Sequence, residues 1–320
     1  MKIKLFVTAI LAIITMAVQS QPVKEHGQLR VVGTQLTDAK GQAIALHGMS
    51  LGWHNLWPRF YNAGVVKTLR KEWNSTVVRA AMGIELNDSG YLKDPAGSKA
   101  RIKAVVDGAI KQGIYVIIDW HSHNIKLEEA KTFFKEMATD YGKYANVIYE
   151  IFNEPDYESW AEVKAYSEEL IKTIRSIDPD NIILVGCPKW DQDVQLPAAD
   201  PIKGYDNLMY TMHFYADTHK QELRDRTDAA LQKGLPIFIS ECAGMSASGD
   251  GPLNMEEWNK WITWAEANKL SWVTWSVSDK NETCSVLQTT ASSDGKWKDA
   301  DLKESGIKTR ELLRKYNDKQ

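Results

Sequence analysis

From about residue 43 onward, short runs of β-branched and aromatic residues alternate with longer stretches whose apolar positions recur at helical spacing. Eight such runs occupy 43–50, 76–82, 114–120, 147–152, 181–186, 208–214, 236–240 and 271–276. In several of them, as in YVIID, NVIYEIF, IILVG and PIFIS, consecutive positions are apolar, which predicts strands covered on both faces. Stretches such as SKARIKAVVDGAIKQG, EEAKTFFKEMATDYGKY and WAEVKAYSEELIKTIRSID predict the covering helices, with Gly113 and Gly234 standing where helix C-caps belong. Parallel strands joined by right-handed helical crossovers close on themselves, so the predicted fold is α/β, a (β/α)8 TIM barrel. Ahead of the first run, 29–46, with Asp38, Ala39, Lys40 and Gly41 as its turn, predicts an N-terminal hairpin across the barrel floor.

A barrel of this kind takes about 250 residues. The 320-residue chain therefore holds one barrel domain, expected at 21–320, and little else. At 1–20, Lys2 and Lys4 precede an apolar stretch from Leu5 to Val18, with the small Ser20 at a cleavage position, which predicts an export signal and a periplasmic or secreted product. That apolar run is shorter than the roughly 20 residues a spanning helix needs, which argues against a retained anchor. A net charge of −3 offers nothing to a polyanion and argues against nucleic acid as a partner. Cys187, Cys242 and Cys284 show no metal-ligand spacing, and no zinc site or cofactor is expected. No linker rich in Pro, Ser or Thr precedes the C-terminus, so no tethered module is expected, and the chain is expected to act as a monomer. The unusual figure is twelve tryptophans, which raises the expectation of flat apolar surfaces for sugar rings.

A barrel carries its chemistry at the C-terminal ends of its strands. Here those ends hold Arg79, Asp119 with His121 and His123, Asn153 with Glu154, Trp190, His213 with Tyr215, Glu241, and Trp275 with Asp279 and Lys280. Glu154 and Glu241 each follow an apolar strand directly, so both are expected to enter one basin. A structural ion pair with Arg79 or Lys280 would account for a carboxylate there. Cleavage of a glycosidic bond accounts for both: one neutral carboxyl protonates the leaving oxygen while one carboxylate attacks the anomeric carbon. On that reading Arg79 holds Glu241 ionised, while Glu154, beside apolar groups and the Asn153 amide, keeps a raised pKa. A competing reading takes Asp119, His121 and His123 as ligands of a metal-dependent hydrolase, although amidohydrolase-like barrels carry H-x-H at the first strand rather than the third. Trp53, His54, Trp57 and Phe60, after the first strand, are expected to line a cleft for extended chains.

The stretches VVRAAM, YVIIDWH, VIYEIFNEP, MYTMHFY, PIFISE and SWVTWSVSDK, in this order and spacing, resemble glycoside hydrolase family five, in particular its bacterial endoglucanase (cellulase) branch. The resemblance runs from about Gly27 to Tyr316. It implies a retaining endo-β-1,4-glucanase with Glu154 as acid/base and Glu241 as the nucleophile of a glycosyl-enzyme intermediate. It further implies that Asn153 contacts the 2-hydroxyl, Arg79 and Tyr215 support the nucleophile, and His121 and His213 complete the shell. Trp275 looks like a stacking platform, Lys280 and Glu282 reach the next sugar on the non-reducing side, and Trp190 lies on the leaving-group side. The chain departs from the family's pattern at Cys242-Ala243-Gly244, where relatives carry an aromatic and then glycine, and at Gly83, where some carry an aromatic. Gly52 stands where many carry a histidine, with His54 as the expected substitute. A mannanase, xylanase or mixed-linkage glucanase on the same barrel is the nearest alternative, since one epimer's difference lies in loop contacts.

Overall fold

The computed structural model describes residues 21–85 and 88–318. The expected export signal lies outside them. Strands β1 (Arg30–Val32) and β2 (Gln35–Thr37) pair antiparallel, and eight further strands form a closed parallel barrel. In chain order the barrel strands are β3 (His47–Leu51), β4 (Val77–Gly83), β5 (Tyr115–His121), β6 (Val147–Glu150), β7 (Ile182–Val185), β8 (Leu208–Tyr215), β9 (Ile237–Ala243) and β10 (Trp272–Val277). Each pairs with its sequence neighbours, and β10 closes on β3. All eight lie within or against the apolar runs, as a sheet covered on both faces requires.

The pleat sorts their side chains. Positions such as Val78, Ala80, Val116, Ile118, Tyr149, Ile183 and Met212 point outward into a core shared with the helices. The alternate positions, Val77, Tyr115, Ile117, Ile148, Leu184, Met209, Phe238 and Val273, fill the lower barrel together with Leu29, Leu36 and Leu46 from the N-terminal segment. Each such side chain stabilises the fold by about 1.5–3 kcal/mol through burial. The hairpin thus covers the floor as expected, but its turn is Gly33-Thr34 rather than 38–41. Residues 38–41 make a second turn, in which Asp38 Oδ1 accepts from the Lys40 and Gln42 amides at 2.8 and 2.9 Å.

Helix ends follow local chemistry. Ser159 and Glu162 form a reciprocal capping box at the start of Trp160–Arg175, and Gly113 ends Pro95–Gln112 in the left-handed conformation. Gly234 ends Gln221–Gln232 in the same way, at positive φ, its amide donating to the Leu231 carbonyl and that of Leu235 to the Ala230 carbonyl. Between β7 and β8 two short pieces, Pro188–Asp191 and Gln195–Ala199, replace a long crossover helix. Among the described residues no helix is long and apolar enough to cross a membrane.

Candidate active site

The alternation that fills the floor with hydrocarbon fills the mouth with charge. One inward step above Val77 stands Arg79, above Ile117 stands Asp119 and then His121, above Ile148 stands Glu150, and above Met209 come Thr211, His213 and Tyr215. Strand β9 breaks this rhythm. Its pairing with β8 steps from Thr211↔Phe238 to His213↔Glu241, so β9 carries one extra residue there, and the irregularity recurs against β10. The bulge lets neighbouring Ser240 and Glu241 both serve the site, whereas a regular strand would turn one of them outward.

Arg79, fully buried, organises the centre. Its Nε donates to Glu150 Oε2 at 2.7 Å, one terminal nitrogen to Glu241 Oε2 at 3.0 Å, and the other to Asn153 Oδ1 at 2.5 Å while standing 3.0 Å from Asp119 Oδ2. Burial alone would lower the guanidinium's pKa, but Asp119, Glu150 and Glu241 together push it well above its ordinary value. Because Asn153 accepts through its oxygen, its NH2 group is left to donate.

His213 is the second cation, and its hydrogen bonds show why. Nδ1 lies 2.9 Å from Glu154 Oε1, and Nε2 lies 2.9 Å from Ser240 Oγ. The Ser240 hydroxyl spends its proton on Glu150 Oε1 at 2.7 Å, so it accepts from His213. Both ring nitrogens therefore donate, and the ring is an imidazolium. Asp191, with Oδ2 at 3.3 Å from Nε2, adds a carboxyl behind it. Burial opposes the charge, but Asp191, Glu150, Glu154 and Glu241 raise the pKa well above its usual value.

Glu154 and Glu241 meet across this centre: their carboxylate oxygens and a His213 ring nitrogen all lie within 4.8 Å of one another. Both line a cavity of about 390 Å³ with His213, Tyr215, Trp190 and His219. Glu241 is held at both oxygens, Oε1 by the Tyr215 hydroxyl at 2.6 Å and Oε2 by Arg79. The two carboxyls shift in directions opposite to those expected. Burial raises the Glu154 carboxyl, but the hydrogen bond and charge of His213 outweigh it and hold the group below its ordinary value. Burial and the neighbouring Glu154 carboxylate raise Glu241, against His213, Arg79 and Tyr215. Two physical facts were not visible in the sequence: Arg79 divides its charge among three carboxylates, and His213 is a cation aimed at Glu154.

Around the pair, His121 Nδ1 is 2.7 Å from Asp119 Oδ2, and its ring stacks on Trp275 at 5.1 Å and 7°. Trp53 meets the His121 ring edge-on at 4.4 Å. His123, weighed only as a metal ligand, instead turns Nδ1 to the Glu154 carbonyl at 3.2 Å and stands 3.7 Å from its carboxylate. Lys280 and Glu282 pair with each other at 2.5 Å on the loop after β10 and do not line the cavity that holds both glutamates. Trp190 does line it, half exposed, on backbone that is left-handed at Lys189, Trp190 and Asp191 in succession. Such strain persists only where neighbours over-determine it. Asp191 Oδ1 accepts from the Cys187 amide at 2.5 Å, and the Trp190 amide donates to the Pro155 carbonyl at 2.9 Å.

Of the aromatic loop after β3, Phe60 is core, and His54 is no cleft histidine. It is fully buried, accepting from the Gly83 amide at 2.9 Å and bonding Ser98 Oγ at 2.7 Å, with burial pulling its pKa down to about 4. The glycine departures have occupants. A Cβ on Gly52 would sit 2.8 Å from Trp57, and one on Gly83 would sit 2.7 Å from Trp53. Cys242 points outward, donating to the Val273 carbonyl, so it is not part of the cleft wall. Sequence reasoning missed Glu150, Asp191, Ser240 and His219. For Glu150 a signal existed, a lone charge inside the apolar run NVIYEIF.

Asp119, His121 and His123 do not converge as a ligand set among the described residues. The two sets that do, Glu150 with Asp191 and His213, and Glu154 with His213 and Glu241, share His213. An imidazole donating through both nitrogens has no lone pair for a metal.

A family model described as Cellulase (glycosyl hydrolase family 5) matches residues 37–281. An endoglucanase from Clostridium saccharobutylicum is 45% identical over 288 residues, which cover 88% of this chain but 64% of that protein. The chain thus spans less than two thirds of that relative's length, and the same share of an endoglucanase from Dickeya dadantii that is 42% identical over 86% of this chain. Among solved structures, the catalytic domain of a Thermobifida fusca endoglucanase, as a variant in complex with cellotetraose, superposes with a TM-score of 0.86 at 32% identity, covering 92% of this chain and all of that one. Since the model spans well over half of the sequence, and the barrel and its mouth are laid out as above, the chain belongs to glycosyl hydrolase family 5.

Proposed function

We propose that this protein is a retaining endo-β-1,4-glucanase in which Glu154 is the acid/base and Glu241 the nucleophile. The observation that carries the reading is the approach of their carboxylate oxygens to within 4.8 Å in one cavity at the barrel mouth. Carboxyl groups about 5 Å apart leave room for an anomeric carbon but not for an intervening water, whereas inverting pairs stand about 6.5–9.5 Å apart. In the first step the Glu241 oxygen bonds to the anomeric carbon as the glycosidic bond breaks, and Glu154 gives its proton to the departing oxygen. In the second, Glu154 takes a proton from water as that water displaces Glu241 and releases the sugar with its original configuration.

The two roles are set when substrate binds. A glycosidic oxygen beside Glu154 is an acceptor that favours the protonated carboxyl, and positive charge developing at the anomeric carbon favours ionised Glu241. The Glu154 carboxylate raises the pKa of Glu241, so the two carboxyls titrate as one interacting pair. Asn153, its oxygen fixed by Arg79, offers its NH2 to the 2-hydroxyl. Arg79 and Tyr215 hold Glu241 through the charge change, while His121 and Trp275 form a wall for the cleaved unit, Lys280 and Glu282 serve the next sugar, and Trp190 serves the leaving group. Relatives named endoglucanases and the cellotetraose held by the Thermobifida variant support a β-1,4-glucan substrate. A polymer of that size does not cross a membrane, which agrees with the export signal expected at 1–20, and one chain supplies every residue of the site.

Reducing-sugar release from carboxymethylcellulose, with xylan and mannan in parallel, tests the substrate, and release from the glucan is expected to dominate. Preference for mannan or xylan would move the assignment to that activity on the same barrel. The anomer formed first, followed by NMR, is expected to be β; an α product would overturn retention.

A further inference from the structure

Among the described residues, the exposed large apolar side chains are Val32, Leu56, Tyr157, Ile177, Trp190 and Leu196. Isolated exposed apolar residues call for no explanation. The two aromatic rings in this set, however, touch: Tyr157, 87% exposed, meets Trp190, 40% exposed, at 6.2 Å between centroids and 71° between planes. They come from different loops. Tyr157 lies three residues after Glu154, and Trp190 follows β7. The loops are tied by the Trp190 amide on the Pro155 carbonyl at 2.9 Å. The stretch carrying Tyr157 leads into the Ser159–Glu162 capping box, and the Tyr157 amide donates to Asp156 Oδ1 at 2.6 Å. A large ring is thus displayed to water on a preorganised backbone, beyond the leaving-group wall of the cavity.

Resting on the glucanase reading above, we propose that Tyr157 is a second leaving-group platform, holding the sugar beyond the one on Trp190. Glu154 protonates the leaving oxygen, so whatever lies past Trp190 on this side meets the part of the chain that departs. The ring separation is about one sugar length, and a chain lying flat on Trp190 turns about its next linkage to reach the Tyr157 ring. The substrate class assigned to this position is a β-1,4-glucan with at least two units on the reducing side of the cut.

Tyr157→Ala and Tyr157→Phe test this against two substrates, cellohexaose and an aryl β-cellobioside whose aromatic leaving group ends at Trp190. Tyr157→Ala is expected to lower kcat/KM on cellohexaose by between about three- and ten-fold, mostly through KM, the range one aromatic face supplies. Turnover of the aryl cellobioside is expected to stay unchanged, and Tyr157→Phe to behave as wild type. Equal activity of Tyr157→Ala and wild type on cellohexaose overturns the platform, as does an equal loss on both substrates. A wild-type protein that cuts neither substrate overturns the glucanase reading instead, a result distinct from either.

Discussion

The floor and the mouth of this barrel are built on the same strands by the same alternation, yet they obey opposite energetics. At the floor, Ile117, Ile148, Leu184 and Phe238 interlock with Leu29 and Leu36, and each gains from burial without needing a particular partner. At the mouth, the carboxyl groups of Asp119, Glu150, Glu154, Asp191 and Glu241 crowd around two cations, Arg79 and His213. Burial opposes nearly every one of those charges, and only their mutual arrangement makes it tolerable. The difference teaches where stability is made and where it is given up: the floor holds the barrel closed so that the mouth can keep an excess of acid in one buried cluster.

The most disruptive way to break this contrast is Arg79→Met. It strands Glu150, Glu241 and Asp119 without their shared partner, so a loss of about 3–5 kcal/mol in urea unfolding is expected. Turnover of whatever folds should fall by at least about a hundred-fold, the scale for removing one group that holds charge in the transition state. A variant with wild-type stability would mean that Arg79 is not the counter-charge of the centre.

Glu154→Gln separates the two properties. Turnover on a glucan is expected to drop by about 10²–10⁴-fold, as for loss of a general acid. Its unfolding midpoint should fall by less than that of Arg79→Met, because only the pairing of the ionised Glu154 with His213 is lost while the centre keeps its Arg79 counter-charge. A stability loss comparable to that of Arg79→Met would show that Glu154 is a structural ion-pair member instead.

Ile148→Ala probes the floor. The cavity it leaves is expected to cost about 2–5 kcal/mol, while kcat and KM of the folded fraction stay unchanged. A shifted KM would mean that floor and mouth are mechanically coupled, and the contrast would then be one of composition only.

How much of this was legible beforehand follows the same division. The floor was readable because hydrophobic periodicity determines it: Val77, Tyr115 and Ile148 fall at the inward positions of runs that were plain in the sequence. Glu154 and Glu241 were legible as chemistry because each carboxylate interrupts or ends an apolar strand. The bulge that turns both Ser240 and Glu241 to the site was not, since it depends on how β9 pairs with β8 and β10 rather than on its own residues. Nor was the charge on His213. That depends on Ser240 passing its proton to Glu150, which makes His213 a double donor, and on Asp191 arriving from a left-handed turn that no local pattern announces. His54 was misplaced for a related reason: its spacing put it in the right loop, and only tertiary packing turned its ring into the wall.

The finest test uses pH to distinguish the two layers through Glu150. Burial raises this carboxyl, but Arg79 and the hydrogen bond from the His213 side bring it down from 4.5 to about 2. A group whose folded value lies below its unfolded one binds fewer protons when folded, so it stabilises the protein above pH 4.5, and that contribution disappears as the pH falls through about 2. His213 runs the other way: its raised value contributes below its unfolded 6.5 and fades as the pH climbs through the folded value. Comparing wild type with Glu150→Gln in urea at a series of pH values, the stability gap is expected to be widest above pH 4.5 and to narrow steadily on acidification. Over the same range the deficit of Ile148→Ala should stay flat, because no proton is involved in filling the floor. A gap for Glu150→Gln that ignores pH would mean the carboxyl is protonated throughout, and the mouth would then hold its excess acid by sharing protons rather than by pairing charges.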